Sequence, residues 1–388
     1  MNKLTIGIDA SNLRMGGGVT HLIELLREAK PYLYDIERVV VWAGRPTLDA
    51  LDDSSWLDKR NLPELDKGLV QRTLWQRFNL SNAARDLGCD LLFVPGGTYS
   101  GNFHPTVTMS QNLLPFEMRE LWRYGWSFRT IKFLLLRLTQ SRSFRRADGV
   151  IFLTQYAHKV VINIIGKLGG QNIIIPHGLN PRFNRLPKVQ RAITDFDDEH
   201  PYRLLYVSNV DQYKHQWHVV EAVFALRKLG LPVVLDLVGP AYQPALKRLN
   251  KKISKLDKNR MWVNYHGAIA FNDLHHSYVK ADLAVFASSC ENMPNILIES
   301  MASGLPIACS ELGPMPEILG NSGVYFNPED SESITKALQK LIDSPELRAE
   351  LSQASYGMAQ QYSWERSASE TFGFLTCIAK EKKRILYD

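Results

Sequence analysis

Two successive series of short apolar runs, with helix-length segments between the runs, constrain the fold of this chain more than any other feature. The first series is Leu4–Ala10, Val39–Gly44, Asp90–Pro95, Thr106–Ser110, Val150–Thr154 and Asn172–Pro176. A polar, charge-rich segment, Pro181–His200, interrupts it. The pattern then resumes as Arg203–Val210, Val233–Gly239, Val263–Gly267, Leu283–Ser288, Ile307–Ser310 and Val324–Phe326. Short runs rich in Val, Ile and Leu read as strands covered on both faces, and helix-length spacers imply parallel pairing. Two series predict two doubly wound α/β domains, with ligands beyond the carboxyl ends of the strands and in a cleft between domains. A chain of 388 residues is long enough for two such cores.

At 45% hydrophobic and 22% charged, the composition is that of a globular protein, and no apolar run approaches the roughly 18–20 residues that span a bilayer. The first strand begins within four residues of Met1, which gives the expectation of no signal peptide and a cytoplasmic location. Cys89, Cys290, Cys309 and Cys377 are scattered without zinc-ligand spacing, pointing to a reducing compartment. The net charge of +6 is modest, but much of it gathers at Arg119, Arg123, Arg129, Lys132, Arg137, Arg142, Arg145 and Arg146, interleaved with Trp122, Trp126 and Phe128. This reads either as an interfacial surface for anionic lipid or as an amphipathic helix with solvated arginines. No nucleic-acid recognition motif accompanies the charge.

Three segments carry chemistry. After the run ending at Ser288 the chain reads Glu291-Asn-Met293-Pro-Asn295-Ile296-Leu-Ile-Glu299, with one acid in a strand-to-helix loop and a second eight positions later in the helix. Such a junction presents free N–H groups and a positive dipole end, suited to phosphate. The two acids can accept hydrogen bonds from hydroxyls on either side, which describes a nucleotide-sugar. After the first strand comes Arg14-Met-Gly16-Gly17-Gly18, where glycines allow close approach to a phosphate or acceptor; a structural turn is the alternative. It is not a dinucleotide fingerprint, because the GxGxxG spacing and its following acid are missing. After the first strand of the second series stands Lys214, which either neutralises a diphosphate leaving group or is a plain surface residue.

Together these segments resemble the retaining glycosyltransferases of the GT-B fold, in the large bacterial family that builds lipopolysaccharide, capsule and lipid-linked glycans. The resemblance runs through the Gly16–Gly18 loop, "SQNLLPFE" at Ser110–Glu117, "IPHGLNPRF" at Ile175–Phe183, "YVSNVDQYKHQ" at Tyr206–Gln216, the E-x7-E pair with "ESMASGLP", and "YSWER" at Tyr362–Arg366. It implies an acceptor-binding Rossmann-like domain over 1–180, a nucleotide-sugar-binding one over 201–362, and a C-terminal helix, 363–388, crossing back to the first. It further implies that Glu291 contacts the transferred sugar and that Glu299 accepts from the ribose. Amides around Met293, Asn295 and Ile296 would hold the diphosphate paired with Lys214. Base selection would fall near Gly267–Phe271, at Ile269, with uridine and guanosine both open.

Two positions depart from the family's pattern. Asn209 stands where an arginine is common, so part of the positive charge on the leaving group is missing or comes from Arg14 or an N–H near Asn295. Gln111-Asn112 replaces a His-Asp pair near the acceptor, removing a titrating imidazole. His177 reads equally as a packed histidine or a site residue. No metal or other cofactor is expected: Asp195-Phe-Asp197 has no strand before it, and His275-His276 lacks companion ligands. The implied reaction is metal-independent hexosyl transfer from a UDP- or GDP-sugar to a glycan or undecaprenyl-linked acceptor of O-antigen or capsule. The enzyme would be peripheral on the inner face of the cytoplasmic membrane through 118–146. A nucleotide-sugar epimerase, a non-catalytic donor-binding subunit and, more distantly, an oxidoreductase are the rivals.

Overall fold

The computed structural model describes residues 3–14 and 16–387. The chain divides into two compact units, the first built from Met1–Leu121, Trp126–Gly178 and Ser363–Asp388, the second from Trp122–Gly125 and Leu179–Tyr362.

The first unit holds an all-parallel sheet of β1 (Leu4–Asp9), β2 (Ile36–Trp42), β3 (Leu57–Arg60), β4 (Leu91–Val94), β5 (Thr106–Met109), β6 (Gly149–Phe152) and β7 (Gln171–Ile174), in the order β3-β2-β1-β4-β5-β6-β7. The second holds β8 (Tyr202–Val207), β9 (Val233–Val238), β10 (Val263–Tyr265), β11 (Leu283–Phe286), β12 (Ile307–Ser310) and β13 (Val324–Phe326), also parallel, in the order β10-β9-β8-β11-β12-β13. These are two Rossmann-like domains. Each reverses strand order beside its first strand, between β1 and β4 and between β8 and β11. A doubly wound sheet opens its ligand crevice at such a reversal.

Strands β4, β6, β11 and β12 are buried throughout and β1 everywhere but Thr5, as their apolar runs require. The helices that matter below, labelled in chain order, are α1 (Gly17–Arg27), α2 (Leu69–Phe78), α3 (Leu80–Asp86), α4 (Phe128–Arg146), α5 (Gln216–Lys228), α6 (His275–Lys280), α7 (Asn295–Ala302) and α8 (Trp364–Tyr387). Helix α8 packs on α1 and β4 of the first unit. Next to its start, Gly178 lies so close to Trp364 that a β-carbon there would meet the Trp364 nitrogen at 2.2 Å.

The sequence reading is corrected at three places. Strand β3 was not foreseen: its residues, Leu-Asp-Lys-Arg, form an edge strand of partly exposed positions and so lack an apolar run. Residues 181–200 belong to the second unit instead of standing apart as a polar connector, and 179 and 180, read with the first domain, join them there. Arg348, fully buried, donates to Gln190 Oε1 (3.1 Å), to the Arg191 carbonyl and to the Leu341 and Ile342 carbonyls, which pins this segment down. Trp122–Gly125, read as part of the first domain, also lies in the second unit, where Arg123 pairs with Glu329 at 2.6 Å.

Candidate active site

Lys214 follows β8 and Glu291 follows β11, so the strand reversal of the second sheet brings their loops side by side. Lys214 Nζ donates to Glu291 Oε1; the two side chains are 4% and 14% exposed. A charge pair this sheltered has a stronger mutual attraction than a surface pair, and each partner depends on the other. The ammonium also lies 5.1 Å from the Tyr213 ring centroid and 5.4 Å from that of Phe286, so it is walled by aromatic faces.

The two loops are stapled by backbone and side chain. Ser289 donates its N–H to the Tyr213 carbonyl at 2.8 Å, and its hydroxyl meets His215 Nε2 at 2.9 Å. His215 holds a left-handed conformation (φ 51°) that turns the chain into α5, and Tyr206 Oη donates to the Lys214 carbonyl at 2.7 Å. Burial, and after it the negative charge of Glu291, pushes the Tyr206 and Tyr213 hydroxyls well above their ordinary range. Both hydroxyls are therefore held in the neutral form.

Glu299 has a different environment. It is buried on α7 and accepts from Tyr278 Oη of α6 at 3.0 Å. Burial raises its carboxyl to about 7, against the lowering effects of Tyr278 and the Arg182 charge. Arg182 stacks over Phe271 at 4.9 Å and donates to Asn272 Oδ1 at 2.6 Å, bridging the "NPRF" run to the loop holding Ile269, which is half-buried. Arg182, Tyr278, Tyr206 and His215 escaped the sequence reading. Arg182 stands inside a recognised run, but its partners are contributed by an unmarked loop.

Helix α7 begins after Pro294 with neither a side-chain cap nor an acid in its first turn. The Asn295 N–H is directed to the Met293 carbonyl at 3.1 Å, and Met293 is buried; Ile296 is the second residue of the helix. Asn209 donates to Asp211 Oδ2 at 3.3 Å, and Asp211, buried, also accepts from Tyr124 Oη at 2.7 Å. The amide at this position thus serves the buried carboxylate next to the lysine loop. Gly239 bends the end of β9 against it: φ is +142°, and a β-carbon would sit 2.1 Å from the Ser208 carbonyl.

In the first unit the loop after β1 carries Arg14, Gly16, Gly17 and Gly18. Arg14 donates to the carbonyls of Leu65 and, at 3.0 Å, of Lys67. Gly16 has φ +77°, and a β-carbon on Gly18 would meet Gln111 Oε1 at 2.9 Å, so the glycine loop and the Gln111 side chain touch. Gln111 donates to the Met109 sulfur, and Asn112 Oδ1 accepts from Leu114 N at 3.1 Å to cap the following turn. His177 is packed between His21 and Trp364, 4.8 and 5.6 Å between ring centroids. Burial holds His21 well below the ordinary histidine range, and the charge of His177 adds to that. Among the described residues no group of three or more His, Cys, Asp or Glu could hold a metal ion. Asp198 pairs with Arg227, Asp197 accepts backbone N–H groups, and His275 and His276 stack on each other at 4.0 Å.

Residues 190–358, nearly all of the second unit, match the family described as Glycosyl transferases group 1. Among curated relatives, O-antigen chain mannosyltransferase B of Escherichia coli is 27% identical over 110 residues, which are 28% of this chain and 29% of that protein. The chain spans less than a third of the length of the first two such relatives. An uncharacterised glycosyltransferase from Haemophilus influenzae aligns along 95% of this chain and 99% of its own at 23% identity. Among solved structures, sucrose-phosphate synthase from Thermosynechococcus elongatus superposes with a TM-score of 0.75 at 17% identity, covering 99% of each chain. HepE of Anabaena, in complex with UDP and glucose, superposes at 0.69 and 16% identity, covering 96% of this chain and all of the other. The fold is that of these GT-B proteins.

Proposed function

We propose that this chain, whose second unit carries a group 1 glycosyltransferase domain, moves a hexosyl group from a nucleoside-diphosphate sugar to a glycan or polyprenyl-linked glycan acceptor of bacterial surface polysaccharide. The observation that carries the reading is the sheltered Lys214–Glu291 pair at the strand reversal of the second sheet, next to the uncapped start of α7. In the donor-free protein each charge satisfies the other. A donor diphosphate competes for the lysine, and the sugar hydroxyls take up the released carboxylate.

The reaction forms a bond from the acceptor oxygen to the anomeric carbon and breaks the bond from that carbon to the diphosphate oxygen. Lys214 and the α7 dipole stabilise the charge growing on the leaving diphosphate. The leaving oxygen takes the acceptor proton on the same face, so configuration is retained and neither a metal nor a nucleophilic carboxylate is required. Glu299 receives the ribose hydroxyls in place of Tyr278, and the Arg182–Phe271 stack flanks the base beside Ile269. The relatives' names favour a mannosyl group, and the UDP complex of HepE favours a uridine donor; both bases enter the test.

The protein docks on an anionic membrane through α4 and the residues before it. Supporting this, Trp126 and Phe128 are 93% and 83% exposed. The experiment is a thermal-shift screen with UDP- and GDP-sugars, followed by product analysis with and without a lipid-linked glycan acceptor. One donor raises Tm, and sugar transfer requires acceptor. An isomerised sugar from donor alone would establish the epimerase, and binding without turnover the non-catalytic subunit.

A further inference from the structure

A cavity of about 660 Å³ opens in the first unit between α2, α3, α4 and the loop that follows β4. Its charge is one-sided. Arg77, Arg142 and Arg146 line it, no carboxylate does, and none of the three guanidinium groups has an ion pair among the described residues. Arg142 and Arg146 stand one turn apart on α4, where like charges repel unless an anion lies between them.

The neutral lining adds donors. Arg85 donates to Oδ1 of Asn82 (3.0 Å) and of Asn102 (3.3 Å), so both amides are left with their Nδ2 groups to donate. The loop is held from behind by the buried Gln76, which donates to Asp9 and to the Thr98 carbonyl (3.0 Å) and accepts from Ser100 (3.1 Å). The Thr98 hydroxyl is enclosed there without a protein partner. A rigid recess of positive charge and donors, with no acid, is matched to phosphate oxygens, which only accept.

Two of the helices that bound it carry outward apolar stripes. On α4, Phe128, Ile131, Leu135 and Leu138, 83%, 56%, 58% and 67% exposed, form an outward stripe at helical spacing that continues into Arg142 and Arg146. The side turned inward holds Thr130, Gln140, Ser141 and Ser143, with Phe144 in the core. Helix α2 repeats the order, with exposed Val70 and Leu74 leading to Arg77 and Phe78. Helix α4 buries polar residues beside Phe144 and exposes four large apolar ones, and α2 buries Trp75 and Gln76 while exposing Val70 and Leu74, so each carries an outward apolar stripe that an ordinary surface helix lacks. Both stripes run from hydrocarbon-like to cationic and end at the same cavity.

The geometry points to a seat for the diphosphate of a polyprenyl-linked acceptor, with the isoprenoid chain along the stripes of α2 and α4 and the phosphates among Arg77, Arg142 and Arg146. This rests on the transferase reading above and names its acceptor class. The test uses farnesyl diphosphate, farnesol and inorganic pyrophosphate as probes, titrated into the full chain and into Arg142→Gln/Arg146→Gln. Farnesyl diphosphate should bind the wild type at least tenfold more tightly than either fragment. The paired variant should lose at least tenfold of that affinity, with Tm and nucleotide-sugar affinity unchanged. Equal farnesyl diphosphate affinity in the variant would overturn the assignment. So would pyrophosphate binding as well as the lipid, which would mark a plain anion site. Failure of the transferase reading shows separately, as loss of donor binding in the wild type.

Discussion

The two strand reversals are built on one topology but equipped differently. In the second unit the loops after β8 and β11 present a buried lysine against a carboxylate, with aromatic walls and a stapled backbone. In the first unit the corresponding loop after β1 presents no such pair. Asp9, at the end of β1, is pushed toward its neutral form by burial, and Arg14 is given to backbone carbonyls. The uncommitted cations of the first unit stand aside from that reversal, on α2 and α4. Topology thus supplies a crevice in each unit, and among the described residues only the second sets a buried lysine against a carboxylate there. On the proposed reading the second stabilises the leaving group and the first holds and positions.

The sharpest way to break this contrast is Lys214→Ala. It removes the cation from the leaving group and leaves Glu291 buried without its partner. We expect transfer to fall by roughly 10²–10³, the loss typical of one electrostatic stabiliser in a preorganised site. The check is kcat with saturating donor. Near-normal turnover would remove the second reversal from the chemistry altogether.

Glu299 sharpens the contrast through pH. Its carboxyl, raised to about 7, is largely neutral below that value, while on the proposed reading the ribose hydroxyls donate to its ionised form. Donor Kd should therefore weaken as pH falls from 8 to 6, by up to about tenfold per unit below the midpoint. The sign is opposite for stability. A raised carboxyl contributes stability that is complete below its unfolded value of 4.5 and is lost as pH rises through about 7, so Tm of the free protein should decline from pH 5 to pH 8. Glu299→Gln should flatten both profiles and weaken the donor by about 2 kcal/mol, roughly thirty-fold, at pH 8. A pH-independent Kd in the wild type would remove Glu299 from the ribose.

The sheets were legible because fully buried parallel strands write continuous apolar runs; every strand with such a run was found. β3 was not, because an edge strand of Leu-Asp-Lys-Arg has no apolar signature. In the candidate site, Lys214 and Glu291 were legible as charges after strand ends and Glu299 as an acid in the helix that follows. Their partners were not: Tyr278 reads as an ordinary aromatic, and the His215–Ser289 staple joins positions separated by 74 residues. The cavity arginines were seen as part of a basic stretch. That two of them share a recess with Arg77 depends on α2 meeting α4, which no local pattern announces.

The outward apolar stripe of the first unit gives a smaller effect. Phe128→Ser with Leu135→Ser removes two outward apolar side chains without opening the core. Binding to phosphatidylglycerol vesicles should weaken by about 1 kcal/mol, roughly fivefold, less than full burial of either side chain would contribute. Tm should hold. Vesicle affinity equal to the wild type would mean the stripe is covered by something other than lipid.

The smallest expected effect is the most specific test of the contrast between the reversals. Arg14 is the cation nearest the glycine loop and the natural candidate for the charge that Asn209 does not provide. Its Nη2 already serves the Leu65 and Lys67 carbonyls, and giving a phosphate the same nitrogen would strand both. Arg14→Gln should therefore cost about 1–2 kcal/mol of stability, read as a lower Tm, and change kcat less than threefold. If instead kcat dropped a hundredfold at unchanged Tm, the guanidinium would have to leave its carbonyls for the leaving group. The first reversal would then be an electrostatic partner of the second, and the division between holding and stabilising would fall.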